Sequence, residues 1–428
     1  MLINFIELFY NIWFVLKTFL IIGYERLQYY YTNDYNLFII NLTKKLSNEN
    51  IVYGKIIQAI STNNNLINPE ISDYLLNFTD NVKFNQSDLD MDTIHSLKMF
   101  NIANGHKMSH IDYEYPINSG LIALVYLVKL NDKEVVIKIK RKNISNNLHD
   151  GLKKVNFLIN LISCIKMFKK FNIDKIFNEN KKLLLEQLDF YNEVKNIKLF
   201  SNKFKNVKHI VIPNVYEEFT NENNNLIIMD YIKGRSINNL KDEEKEIYGL
   251  LFSKFAMKCV LFDGIYHADM HPGNIIFINE NNTYKLGIID FGLIGILTRT
   301  EQNIFYRFLS QLLLKNYDKC AYIMVNNMIE LYDEKSKCKI ESSNEPELMY
   351  EIKQILQNLI EVNKTIAIDD IIKLNKSLNK YNVQLSSFFC NVQMSIIISE
   401  SINKSLFINR TFIDYVHDGA KTYLEELS

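Results

Sequence analysis

The spacing of apolar positions changes several times along the chain, and these changes divide it into blocks. Up to about Val82 the apolar residues recur at helical steps. One of these helices is opened by a proline, in Pro69-Glu-Ile-Ser-Asp-Tyr-Leu-Leu76. Pro116 to Leu130 reads as a strand, a turn and a strand. Glu134-Val-Val-Ile-Lys-Ile-Lys140 alternates with period two and predicts a further strand with Lys138 inside it. Helical periodicity returns over residues 147–204. Two short strands are expected at Val211 to Tyr216 and at Leu226 to Tyr231, and Gly234 then breaks the chain. Lys241 to Asp263 is helical. Ile275-Ile-Phe-Ile278 and Leu286-Gly-Ile-Ile289 read as a hairpin. Everything after Thr300 has helical periodicity, with loops near 332–345 and 382–385, and no internal repeat is found.

The first helix is unusual. Phe5 to Ile22 is rich in apolar residues, but Glu7, Asn11 and Lys17 interrupt it. Asn4, Glu7, Asn11 and Thr18 fall at three- and four-residue steps or their multiples, and the rest of the surface is apolar. That pattern fits an amphipathic helix better than a spanning one. Packing on the protein's own core is the first expectation, membrane-surface attachment the second and a transmembrane span the third. A basic leader and a small-residue cleavage site are lacking, so secretion is not expected.

Composition narrows the class. The 428 residues are 47% hydrophobic with a formal net charge of +0, enough for a large core and without the basic blocks that nucleic acid would call for. Only 13 Gly and 5 Pro, beside heavy use of Ile, Leu and Lys, favour a mostly helical chain. Runs such as Asn63-Asn-Asn65 and Asn223-Asn-Asn225 read as surface loops. Five scattered cysteines with no C-x-x-C suggest reduced thiols in an intracellular compartment and no zinc site.

The candidate chemistry is concentrated in Gly264-Ile-Tyr-His-Ala-Asp-Met-His-Pro-Gly-Asn274 and Ile288-Ile-Asp-Phe-Gly292. Asp269, Asn274 and Asp290 are arranged around the expected hairpin as in a phosphoryl-transfer site. One carboxylate orients a nucleophile, while an amide and a second carboxylate hold Mg²⁺ against nucleotide phosphates. Asp269 to Asn274 keeps the D-x4-N spacing of a kinase catalytic loop, although Ala268 stands where an Arg is usual. Four weaker features precede it in the matching order. Lys138 can reach phosphates, Glu193 on the next long helix can pair with it, the turn Asn118-Ser-Gly120-Leu-Ile122 occupies the place of a phosphate loop, and Met229-Asp-Tyr231 that of a hinge offering backbone groups to an adenine edge. Alone, each is weak: an ordinary edge-strand lysine is the better reading of Lys138, and a solvated glutamate, a simple turn and a core strand serve for the others. His267 and His271 lie four apart, but Pro272-Gly273 follows at once and no third ligand is in evidence. They are therefore expected to orient the loop and support its turn, not to bind zinc.

These residues resemble the UbiB/ADCK/Coq-type atypical kinase-like ATPases associated with coenzyme Q biosynthesis. The family's H-x-D-P-H-P-G-N loop corresponds to His267-Ala-Asp-Met-His-Pro-Gly-Asn274, with Met270 in place of Pro. Its K-x-G-Q helix, Ser-Thr turn and P-x-E are loosely followed by Lys55-Ile-Ile57-Gln58, Ser61-Thr62 and Pro69-Glu70. The spacing puts Lys55 and Gln58 on one helix face, and the resemblance implies a helix lying across the site. The acidic pair before the helix glutamate becomes Gln187-Leu-Asp189, and the alanine-rich loop becomes Asn118-Ser-Gly-Leu-Ile122, with Gly120 in place of its last alanine. The resemblance covers roughly residues 40 to 300, and its departures mark a divergent member.

Pattern and resemblance together predict an α+β, protein-kinase-like two-lobed fold, with a small antiparallel sheet lobe, a large helical lobe and an N-terminal helical extension. The expected divisions are an amphipathic segment 1–40, an extension 41–110, a sheet lobe with helical insert 111–232 and a helical lobe 233–428. The expected activity is Mg-ATP-dependent ATPase or phosphotransfer to a small or lipid-like acceptor, because no Ala-Pro-Glu triplet closes a peptide-binding platform. A link to quinone or lipid metabolism follows from the resemblance alone. A non-catalytic ATP-sensing scaffold at a membrane or complex, and a small-molecule kinase of the aminoglycoside or choline type, are the alternatives.

Overall fold

The computed structural model describes residues 2–61, 71, 74–75, 82–164, 173–331, 345–363, 368–381, 383–386, 388–390, 392–393, 402, 405–406 and 414. Thr62, Pro69 and Glu70, which carry the expected Ser-Thr turn and P-x-E, lie outside them, as does Cys338. The fold is the expected protein-kinase-like α+β arrangement, and contacts divide it into two units: residues 1–199 with 213–231, and residues 200–212 with 232–428.

The first unit begins with helices α1 (Leu2–Thr32), α2 (Tyr35–Glu49) and α3 (Ile51–Ser61). Strands β1 (Asn118–Ser119), β2 (Ala123–Leu130) and β3 (Lys133–Lys140) then pair antiparallel, and Leu226–Asp230 closes the sheet beyond β3. The β2–β3 turn is made by Asn131 and Asp132, both at positive φ (49° and 67°), the geometry a two-residue hairpin demands and Asn and Asp tolerate. Period-two alternation sends Leu124, Tyr126, Val128, Ile137 and Ile139 to one face, where they pack with Ile94, Leu97 and Phe219. The opposite face carries Lys138, set in register between Val125 and Ile227. Phe190 and Val194 of the helix Phe190–Phe204 pack there with Ala123 and Ile227.

α1 packs on the protein's own core along one stripe, where Phe14 and Val15 join Val52, Ile144, Leu148 and Leu152. Among its described side chains a narrow stripe is buried, Phe14, Val15, Thr18 and Glu25. Thr18 bonds the Tyr53 hydroxyl at 3.1 Å, Phe14 stacks on Tyr53, and Lys17 and Glu25 pair with Glu49 and Lys45 of α2. Thr18 of the expected polar line thus faces the protein, while Phe9, Tyr10, Trp13, Phe19 and Leu20 face outward. Among the described residues this is the one helix long and apolar enough to cross a membrane, by length and composition.

In the second unit the helix Asp242–Met257 widens into a π-turn at Lys258–Asp263 and stops at Gly264, whose φ of 65° suits a helix end. Ile265–His267 pairs antiparallel with Ile294–Ile296, a ladder absent from the sequence reading. Its Gly295 lies against the Tyr266 ring, which a Cβ would meet at 1.8 Å. The hairpin Ile275–Glu280 and Thr283–Ile288 turns through Asn281 and Asn282, again at positive φ. Ile210–Val211 adds a parallel edge to it. The expected strand 211–216 is cut short because Pro213 has no N–H to give a ladder.

The helices Arg299–Leu313, Tyr317–Asn327, Glu345–Gln357 and Ile368–Lys380 enclose the largest apolar cluster, which includes Phe305, Phe308, Met324, Leu348 and Leu378. The helical reading beyond Thr300 needs one correction. Ile329–Leu331 pairs with Val383–Leu385, where a loop is expected, because the ladder and the burial of Val383 and Leu385 decide the conformation of so short a segment.

Candidate active site

In the first unit the structure brings Lys138 and Glu193 together. The ammonium donates to both carboxylate oxygens, at 2.7 and 2.9 Å, and lies 5.4 Å from the centroid of the Phe190 ring. Glu193 is 1% exposed and the Lys138 side chain 15%, so the carboxylate is sealed while its partner keeps some exposure. The helix that carries Glu193 starts beside Asp189, an exposed residue whose carboxylate accepts the Asn192 N–H at 3.1 Å. Gln187 lies in the turn just before it.

The turn 118–122, expected in the place of a phosphate loop, is pinned from several sides. Gly120 N–H donates to Ala123 O at 3.0 Å, and Gly120 O accepts from Arg141 Nε at 2.9 Å. α3 lies against the same turn, since a Cβ built on Gly54 would meet Leu121 Cδ2 at 3.1 Å. One residue on, Lys55 donates to Gln58 at 3.1 Å, the same-face pairing that their spacing predicts. Arg141 is missed by the sequence reading. An arginine just past a strand looks like a solvated residue, and its burial to 8% exposure follows from partners distant in sequence.

The hinge expectation is narrowed. Met229 sits inside the sheet, opposite Val136 and bridged to Val215. The Tyr231 N–H donates to Glu134 O at 3.2 Å. Sheet formation thus commits the Tyr231 N–H to Glu134.

In the second unit the catalytic-type loop is organised by His267. Its Nε2–H donates to Asp290 O and its Nδ1 accepts the Asp269 N–H at 3.2 Å. This donor–acceptor pair fixes the neutral Nε2–H tautomer. Burial holds the imidazole pKa below its ordinary value, against an upward pull from the Asp290 carbonyl. Phe200 and Phe291 flank the ring. His271 Nδ1 accepts the Gly273 N–H at 3.2 Å and shapes the turn through Pro272. Asn274 is 7% exposed and its Nδ2 donates to Asp269 O at 2.8 Å, which turns its amide oxygen away from that carbonyl. Ile289 N–H donates to Asn274 O at 3.1 Å, and Asp290 Oδ1 accepts the Gly292 N–H at 3.0 Å. Asp269, Asn274 and Asp290 are therefore tied into one hydrogen-bonded group through His267 and the hairpin. Among the described residues no group of three or more His, Cys, Asp or Glu could hold a metal ion.

Comparison with known proteins bears on this arrangement. A family profile described as the ABC1 atypical kinase-like domain matches residues 97–324. A relative described as probable protein kinase UbiB, from Glaesserella parasuis serovar 5, is 28% identical over 296 residues, which are 64% of this chain and 52% of that one. A Dictyostelium discoideum relative, probable serine/threonine-protein kinase abkB, is 32% identical over 212 residues, covering 46% of this chain and 31% of its own. The chain thus spans about half, or less, of the length of these curated relatives. Among solved structures, the Rv3197–erythromycin complex from Mycobacterium tuberculosis aligns over 82% of this chain and 87% of its own, at 18% identity and a TM-score of 0.48.

Proposed function

The chain belongs to the ABC1 atypical kinase-like family, and from that premise we propose that it binds Mg-ATP and either hydrolyses it or transfers its terminal phosphoryl group to a small or lipid-like acceptor. The observation that carries this reading is the two-point contact of Lys138 on Glu193. Sealing a carboxylate away from water costs several kcal/mol, and a hydrophobic pair of the same size would stabilise the fold as well or better. The pair therefore makes more sense as a device that aims an ammonium at phosphate oxygens.

The remaining roles follow from the same chemistry. Asn274 and Asp290 offer an amide oxygen and a carboxylate, the hard oxygen donors that Mg²⁺ prefers. When bound, Mg²⁺ would draw charge from the phosphate oxygens. The commitment of Asn274 Nδ2 to Asp269 O leaves the oxygen as the amide's ligating end. Asp269 orients a water or an acceptor hydroxyl, and His267 holds Asp269 and Asp290 in mutual register. Gly120 and its neighbours cover the phosphates. With the Tyr231 N–H committed to Glu134, adenine recognition falls to the Tyr231 carbonyl or to residues after it.

The outward apolar face of α1 supports a membrane-associated location. Its inward polar contacts satisfy Thr18, Lys17 and Glu25 within the protein, so the apolar surface is left for lipid. A lipid-like acceptor would then be close at hand.

The test is radiolabelled ATP supplied to the full chain with Mg²⁺, with and without phospholipid vesicles. Label is expected in free phosphate or in the lipid fraction. Label transferred mainly to added peptide substrates would overturn the acceptor reading. Nucleotide bound without turnover would favour the ATP-sensing scaffold.

A further inference from the structure

Arg141 lies three residues beyond Lys138, and each donor group of its side chain is engaged. Nε donates to Gly120 O at 2.9 Å, Nη2 to Ser119 Oγ at 2.9 Å and to Val82 O at 3.2 Å, and Nη1 to Asp88 Oδ2 at 2.8 Å. Its main-chain N–H donates to Ile122 O at 2.9 Å. Some of these bonds end on the turn 119–122 and the rest on the segment 82–88, which precedes the sheet. That segment is joined to the turn a second time by Val82 N–H to Ser119 O at 2.7 Å. Asp88 is itself held, since its Oδ2 accepts the Asn85 N–H at 2.9 Å and its carbonyl accepts the Lys142 N–H at 2.8 Å. α3 closes on the turn from another side through Gly54 and Leu121.

We propose that Arg141 is a positioning residue that, with Asp88, locks the 119–122 turn to the N-terminal extension and so sets nucleotide affinity from outside the nucleotide-contacting residues. The inference rests on the reading of this turn as the phosphate cover. A turn built around Gly120 has little conformational restraint of its own. Ordering it on binding would subtract from affinity, and a turn already ordered avoids that cost. A buried guanidinium is a poor way to gain stability but a good way to fix geometry, because its planar fork reaches several acceptors at set angles. Lysine retains the charge and lacks the fork.

The experiment uses the full chain as parent, Arg141→Lys, Asp88→Asn and Glu244→Gln, the last a buried charge of the second unit paired there with Arg235. Amide exchange over residues 118–123 is measured without nucleotide, and ATP and ADP affinities are measured with Mg²⁺. In Arg141→Lys, exchange is expected to quicken and ATP affinity to fall about tenfold, the equivalent of one to two lost hydrogen bonds. Asp88→Asn should show both changes at roughly threefold, and it carries the test if Arg141→Lys does not fold. Glu244→Gln should lose thermal stability and keep parental affinity. Unchanged exchange in both turn variants would overturn the clamp. Quickened exchange with parental affinity, or an equal affinity loss in Glu244→Gln, would overturn its link to nucleotide. A parent that binds no nucleotide would defeat the nucleotide reading itself, while the exchange result would still decide the clamp.

Discussion

His267 donates its Nε2–H to the main-chain oxygen of Asp290, across 23 residues of chain, and accepts the Asp269 N–H on its other ring nitrogen. One neutral side chain therefore couples the residue read as the nucleophile-orienting carboxylate to one read as a magnesium ligand. His267→Ala removes both bonds inside a buried site. It is expected to cost about 2–3 kcal/mol of stability, as for a buried donor and acceptor left unsatisfied, and to lower ATP turnover in protein that remains folded. Thermal unfolding and phosphate release measured on the same sample check both effects.

The Lys138–Glu193 pair predicts an asymmetry. Lys138→Met takes the ammonium away from a carboxylate that is 1% exposed and should destabilise the first unit by about 3–5 kcal/mol. The double change Lys138→Met with Glu193→Leu should recover much of that stability without recovering ATP binding. Denaturant unfolding and nucleotide titration of both variants separate the two consequences.

Gly120→Ala should fold normally, because the added Cβ would meet Ala123 O at 3.5 Å and Asn118 Oδ1 at 4.0 Å, ordinary contacts. The added methyl group restricts the backbone of the turn read as the phosphate cover, so the ratio of ATP to ADP affinity is expected to change. Equal ratios in the variant and the parent would remove Gly120 from selectivity.

Glu244 supplies a pH dependence. Hydrogen bonding from Arg235, and then from Asn279 and the Lys241 backbone, outweighs burial and holds its pKa down to about 2. A depressed carboxylate pKa contributes stability that is complete above the unfolded value near pH 4.5 and is lost as pH falls toward 2. The unfolding temperature should therefore decline through that acid window, and Glu244→Gln should flatten the decline. The same substitution should cost about 2 kcal/mol at neutral pH.

Much of this organisation is legible in the amino-acid order because long-period signals survive translation into structure. The alternation of residues 134–140 places Lys138 opposite the Ile137 and Ile139 face, and the three-residue step of Lys55 and Gln58 yields their hydrogen bond. Features decided by distant partners are not legible. The three-residue ladders at 265–267 with 294–296 and at 329–331 with 383–385 are too short for periodicity, and pairing creates them. The same holds for Arg141, whose side-chain acceptors lie 21 to 59 residues away. The Tyr231 N–H is diverted for the same reason. The core-packing expectation for α1 holds on the stripe of Phe14 and Val15, while the exposure of its other apolar face is decided by which side α2 and α3 engage.

Asp290 carries the proposed chemistry most directly. ATP turnover by the full chain should require Mg²⁺, and Asp290→Asn, which keeps size and shape but removes the charge, should lower it by about a hundredfold or more, as expected when a metal-ligating carboxylate is lost. Turnover that is equal in parent and Asp290→Asn, or that persists with Mg²⁺ removed, would contradict the proposed chemistry.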